Sequence, residues 1–478
     1  MSWNYGAGLT SILGLVLLYP WAVALAGAAP YGLWVLAFGA AQLLVMADFG
    51  IGDGIVRQMG AMTRGGAGHL ELRRFVSVAL TLFIAVALAL AGLYAVAVPL
   101  YLRTVPTDAL TARDHHVVVV AGALALFLAL MARATNAVLW AQDRQDIERK
   151  ATMAGMALRV AGFAVVAANG GGLHGVVVAE VVSAAVSPVV CGTAVAARFG
   201  APTLTRAAIG RYGGPLLRLG SVLFVGSLAA LLTFQLPLFV VGSTLGLVAA
   251  TAYGALMRVY QSARMINSWT ANPFIHQLSS AEPHELAGRA RTCFVATAVA
   301  GTAIAVVCAG LADELLVAWL GQQFAFAGPA LAALAVAMVA DAVVKPSALV
   351  VNLRGRPVVV SLLHLAVCVL TIGAVWMATR TGSLLGIVVA MSVVAALFAP
   401  AYVVAATRVI GASPYPLRPM VALLVVAALA YAAIRGIAAV LAPWPAVLTV
   451  AGVGVVLLGA AALVWRRRTR RADPAPVG

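Results

Sequence analysis

The chain has 478 residues, 63% of them hydrophobic and only 10% charged. Soluble proteins carry roughly 25% charged residues, so this composition cannot coat a water-facing surface and leaves no room for a soluble domain. The net charge of +16 would suit a nucleic-acid binder, but the arginines stand in small groups between apolar runs, as topology determinants do. Nucleic acid is therefore not an expected partner.

A membrane span needs about 20 apolar residues. Such runs fall at 5–28, 31–56, 75–101, 116–139, 151–168, 173–197, 215–241, 246–275, 291–318, 326–350, 357–378, 383–406, 418–440 and 445–465. The N-terminus, Met1 to Tyr5, lacks the basic region of a cleaved signal peptide, so the first run is expected to stay as a span. Fourteen spans predict an all-α polytopic membrane protein with both termini on one side.

The basic residues test this count, because they should alternate between loops. One set of loops holds Arg57, Arg64, Arg73 and Arg74, then Arg133, Arg144, Arg149 and Lys150, then Arg198, Arg206, Arg211 and Arg218. It continues with Arg258, Arg264, Arg289, Arg291, Lys345, Arg354, Arg356, Arg408 and Arg418, and ends with the tail arginines from Arg466 to Arg471. The opposite loops hold only Arg103, Arg113 and Arg380. The alternation predicts a multi-pass protein of the cytoplasmic membrane with both termini cytoplasmic.

An internal repeat accompanies the spans. Tyr31-Gly32-Leu33-Trp34 opens span 2, and Tyr253-Gly254-Ala255-Leu256 lies in the first turns of span 8. Half of twelve spans is an even number, so the halves have the same orientation and are parallel repeats. The expected division is an N-lobe at 1–205, a C-lobe at 206–412, extra spans at 413–466 and a basic tail at 467–478.

Charge inside a bilayer is costly and marks bundle interiors or wet cavities. On span 2, Tyr31, Gln42, Asp53 and Arg57 share a face at 100° per residue, and Asp53 and Arg57, four apart, can pair. Arg57 either helps hold an anion, oriented by Asp53, or forms an interfacial ion pair at the helix end. On span 8, Arg258, Gln261, Arg264, Ser268, Asn272 and His276 fall within a stripe of roughly 120°. The stripe extends about 27 Å at 1.5 Å per residue. It reads either as the wall of a hydrated cationic cavity or as a polar side tied up by neighbouring spans. The absence of an acid on the same helix favours the cavity.

Other charges read as structural. Arg159 and Glu180 stand at similar depth on spans 5 and 6 and are expected to neutralise one another, with proton coupling through Glu180 as the alternative. Asp341 and Lys345 are four apart on span 10 and are read as a pair. His174 and His364 look isolated, and no Ser/His/acid or His/His/acid grouping supports hydrolysis or a metal site. Cys191, Cys293, Cys308 and Cys368 show neither zinc nor disulfide spacing. No enzyme activity and no cofactor are expected.

The order Tyr31-Gly32-Leu33-Trp34, an apolar run, then Asp48-Phe49-Gly50-Ile51-Gly52-Asp53-Gly54-Ile55-Val56-Arg57 resembles bacterial polysaccharide (oligosaccharide-lipid) flippases. These belong to the multidrug/oligosaccharidyl-lipid/polysaccharide exporter superfamily. The resemblance implies two six-helix lobes around a central cavity and export of a polyprenyl-diphosphate-linked oligosaccharide for cell-surface polysaccharide synthesis. It places Arg57 at the inner end of the N-lobe cavity helix, and Arg258 and Arg264 on its C-lobe counterpart. Membrane lipids, a glycan polymerase and glycosyltransferases are the further partners it implies. Many relatives carry an acid two residues after a Gln late in span 7, whereas here Gln235-Leu236 precedes Pro237. The alternatives are a multidrug efflux transporter of the same superfamily, a membrane glycan polymerase or glycosyltransferase, and a non-transporting scaffold.

Overall fold

The computed structural model describes Gly14 and residues 17–46, 50–106, 110–200, 206–415 and 417–453. Among these residues the regular structure is helical throughout, with short 3-10 turns at Gln322–Ala327 and Thr379–Thr381. The helices are α1 (Leu17–Ala26), α2 (Ala28–Val45), α3 (Ile51–Arg64), α4 (His69–Leu102), α5 (Ala112–Trp140), α6 (Gln145–Ala168) and α7 (Leu173–Phe199). They continue with α8 (Arg206–Leu245), α9 (Leu247–Ala271), α10 (Phe274–Ser279), α11 (Pro283–Gly310), α12 (Ala312–Leu320) and α13 (Gly328–Leu353). The series ends with α14 (Pro357–Ala378), α15 (Leu384–Ile410), α16 (Leu417–Val440) and α17 (Pro443–Val453).

In order, these helices fall on the expected spans, with α3, α10 and α12 as additional pieces. Ten of the described helices are long and apolar enough to cross a membrane. The chain is an all-α polytopic membrane protein. Helix α9 is not one of the ten, because Arg258, Gln261, Arg264 and Asn267 lower its hydropathy. The outer parts of the first and last spans (5–13 and 454–465) and the tail at 467–478 lie outside the described residues.

The expected second span, 31–56, is not one helix. Helix α2 ends at Val45, and α3 starts at Ile51 after Gly50, whose φ of 69° is left-handed. A left-handed residue cannot continue an α-helix, so the 100° arithmetic that put Tyr31, Gln42, Asp53 and Arg57 on one face does not carry across. Helix α3 has its own amphipathic register, with Ile51, Ile55 and Met59 buried and Arg57 exposed. The expected eighth span likewise stops early, at Ala271, because Pro273 starts the separate turn α10. The expected ninth span divides at Leu311 into α11 and α12.

Helices α4, α6 and α7 pack around α5, which also meets α2, while α8, α9, α11, α13, α14 and α15 pack on one another. The two groups meet along α2 and α9, with α3 and α4 against α8. Lipid offers helices no hydrophobic reason to associate, so such contacts depend on small residues that allow close approach. A Cβ on Gly32 would fall 2.1 Å from the carbonyl oxygen of Leu247, and one on Gly254 would fall 2.7 Å from the Tyr19 hydroxyl. Both motifs of the internal repeat therefore sit where helices touch.

Hydrogen bonds fix the same contact. Tyr19 donates to the Thr251 carbonyl at 2.7 Å, and the Thr251 hydroxyl donates to the Ala28 carbonyl at 2.6 Å. Helix α16 packs on α11, and its Arg435 lies 3.6 Å from the Glu314 carboxylate of α12.

Candidate functional site

A cavity of about 300 Å³ opens between α2, α8 and α9. Helix α2 supplies Trp34, Phe38 and Gln42; α8 supplies Phe234 and Gln235; α9 supplies Tyr253, Arg258 and Gln261. The cavity lies beyond the Gly32–Leu247 contact, toward the C-terminal ends of α2 and α9. That contact closes the N-terminal ends of both helices.

Arg258 is the one charged side chain among the described residues that line this cavity. Its guanidinium stands over the Tyr19 ring, 4.5 Å from the centroid, a cation–π contact worth roughly 0.5–2 kcal/mol depending on desolvation. Tyr19 is set in turn by an edge contact with Tyr31 at 5.2 Å. No carboxylate lies within ion-pair distance of Arg258 among the described residues, and its Nε is buried without a hydrogen-bond partner. A guanidinium without a carboxylate partner can donate charge-assisted hydrogen bonds to an anion.

Arg264 has a different environment. It lines a second, separate cavity of about 150 Å³ between α8, α9, α13, α14 and α15. There its Nε donates to Asp341 Oδ1 at 3.0 Å, and Asn267 donates to Asp341 Oδ2 at 3.4 Å. The expected Asp341–Lys345 pair is thus corrected: both line this cavity, but the acid is taken by Arg264, which reaches it from the facing helix. The same pairing removes Arg264 from the anion site that the α9 stripe suggested. Two arginines 600° apart on an ideal helix differ by 120° in direction, enough to face different cavities.

The remaining expected residues divide. Gln42 and Gln261 join Arg258 in the first cavity. Arg57 is exposed on α3 and Asn272 is exposed just past the end of α9; neither lines a cavity with Arg258. Asp53 lies on α3, with its side chain outside the described set, as is the whole of Asp48. Arg159 and Glu180 form the expected ion pair between α6 and α7 and line a space of about 240 Å³ between helices, with Trp34 and Phe38.

His174 is not isolated, because its Nε2 lies 2.8 Å from Asp114, which also closes the capping box at the start of α5. Among the lining residues, Gln235, Trp34 and Tyr253 were not singled out as ligands from sequence. Their signals were present, as the one amide late in span 7 and as members of the two repeat motifs.

No protein-family model matches the sequence, and no curated protein matches it. Solved structures do share its fold. The lipid II flippase MurJ in an inward closed conformation superimposes with a TM-score of 0.75 over 98% of this chain and 98% of its own, at 9% identity. An inward-facing multidrug resistance MATE family transporter of the MOP superfamily gives 0.67 over 83% of this chain and 95% of its own, at 13% identity. A MOP superfamily transporter from Pyrococcus furiosus, described by the reverse polarity of its binding pocket, gives 0.55 over 86% and 94%, at 13% identity. The likeness shows that the chain has the fold of these transporters.

Proposed function

We propose that the chain is a flippase that moves a polyprenyl-diphosphate-linked oligosaccharide across the cytoplasmic membrane by alternating access. The observation that carries this reading is the sign of the cavity: Arg258 is the single charge among its described lining residues. The guanidinium receives the diphosphate through charge-assisted hydrogen bonds. Gln42, Gln235 and Gln261 offer amide donors and acceptors to sugar hydroxyls, and the rings of Trp34 and Phe38 offer apolar faces. The polyprenyl tail stays in lipid.

The lobes, 1–205 and 206–412, rock about the cavity. Release of the Gly32–Leu247 contact opens its far side, taken as the outer face because both termini are cytoplasmic. At about 300 Å³ the cavity is at the lower end of the ~300–1,000 Å³ usual for small-molecule sites. A head group of several sugars therefore needs the wider, opened state. An inside-negative potential assists outward movement of an anion by roughly 2.3 kcal/mol per charge per 100 mV, which gives direction without an ion site.

A drug exporter of the same fold is the nearest rival. A cationic drug would meet a guanidinium there, with no carboxylate among the described lining residues, so the sign of the cavity disfavours it. The test is reconstitution into liposomes with a labelled polyprenyl-diphosphate glycan and, separately, a fluorescent lipophilic cation. Transfer of the glycan lipid between leaflets supports the flippase. Transfer of the cation alone refutes it.

A further inference from the structure

The second cavity holds charges that the proposed transport path does not use. Arg264 and Lys345 both line it, and Asp341 is the only carboxylate among its described lining residues. Arg264 engages that acid at 3.0 Å, while Lys345 has neither an ion-pair nor a hydrogen-bond partner among the described residues. Counting Arg264, Lys345 and Asp341, the cavity carries one more positive than negative charge. Lys345 is half-buried, and an ammonium drawn out of bulk water without a partner is disfavoured, so this arrangement calls for a counter-ion.

Two further groups point to one. Thr371 and Tyr402 are 1% and 2% exposed, and their hydroxyls have no hydrogen-bond partner. Both line the same cavity, on α14 and α15, opposite Lys345 on α13. A hydroxyl, unlike a carbonyl, can donate to an anion, and residues bearing an ammonium, a guanidinium and two unpartnered O–H groups line this one space. The volume of about 150 Å³ accepts a small ion with its waters. Phe234 lines both this cavity and the first one, and its ring stands 4.7 Å from the Arg264 guanidinium carbon. The two cavities thus adjoin at Phe234.

We infer that this cavity binds a small inorganic monoanion of the halide class, held by Lys345 and Arg264 with the hydroxyls of Thr371 and Tyr402. The ion is a resident counter-ion that ties α9, α13, α14 and α15 together, independent of what the first cavity transports.

The test is the thermal unfolding midpoint of the purified full chain in detergent, titrated with sodium chloride against sodium gluconate at fixed sodium and ionic strength. Chloride should raise the midpoint saturably, and gluconate should not. Lys345→Gln should move half-saturation by about tenfold or more, the loss of one charge-assisted contact. Thr371→Val, which keeps every charge, should weaken the response in the same direction and decides the matter if the lysine variant does not fold. Arg258→Gln should respond like the unaltered chain. Indistinguishable chloride and gluconate curves, or an unchanged response in Lys345→Gln and Thr371→Val, overturn the proposal. A response lost only in Arg258→Gln also overturns it, by moving the ion to the first cavity.

Discussion

The guanidinium of Arg258 rests over the ring of Tyr19, 4.5 Å from its centroid, so a charge of α9 is presented to the cavity by an aromatic face of α1. Six residues along the same helix, Arg264 is neutralised by Asp341. One helix thus carries a guanidinium without a carboxylate and one with. The two guanidinium groups of α9 therefore stand in different electrostatic surroundings.

The ring should matter more than the hydroxyl. Tyr19→Phe keeps the cation–π face and loses the bond to the Thr251 carbonyl; Tyr19→Leu loses both. An interaction of about 1 kcal/mol corresponds to roughly fivefold in affinity. Binding of a polyprenyl diphosphate to the purified protein should therefore weaken about fivefold in Tyr19→Leu and less in Tyr19→Phe. Equal losses would assign the effect to the hydrogen bond.

The Arg264–Asp341 pair should behave as a unit. Asp341→Asn leaves Arg264, whose side chain is 36% exposed, without its carboxylate, and losing a hydrogen bond to a charged group costs about 1.5–3 kcal/mol. Removing both charges, in Asp341→Asn with Arg264→Met, should recover much of that loss. Unfolding in detergent of the two single variants and the double variant measures the coupling. Additive losses would mean that the charges do not sense each other.

Helix number and order were legible because they rest on long apolar runs. The Arg159–Glu180 pair was legible because antiparallel neighbours joined by a short turn bring residues equidistant from that turn to one depth. The errors arose where geometry is not local. Gly50 takes a left-handed φ, which breaks the helix that would have aligned Arg57 with Gln42. The partner of Asp341 comes from α9, 77 positions away, whereas sequence spacing offers only Lys345. Arg258 and Arg264 share a stripe in projection, but a stripe 120° wide can face two cavities.

Gly32 should be intolerant of any side chain. A Cβ there would fall 2.1 Å from the Leu247 carbonyl oxygen, and backbone cannot yield as a flexible side chain does. Gly32→Val should hold the N-terminal ends of α2 and α9 apart and stop transport, with membrane insertion unchanged. Spin labels at positions 28 and 247 should report a longer and broader distance in the variant. An unchanged distance would contradict the role given to this contact.

Arg57 is exposed on α3 and does not line the cavity with Arg258. Arg57→Ala should keep the affinity for a polyprenyl diphosphate within about twofold, the scale of exposed ionic contacts. A tenfold loss in a binding titration would return Arg57 to the site.

In the proposed mechanism Arg258 receives the negative head group. The most direct measurement is the dissociation constant of a sugar-free polyprenyl diphosphate for the unaltered chain, Arg258→Lys and Arg258→Gln, purified in the same detergent. A hydrogen bond to a charged group contributes about 1.5–3 kcal/mol, so Arg258→Gln should bind about 10- to 100-fold more weakly, with Arg258→Lys between. Equal affinities in all three proteins would contradict the account.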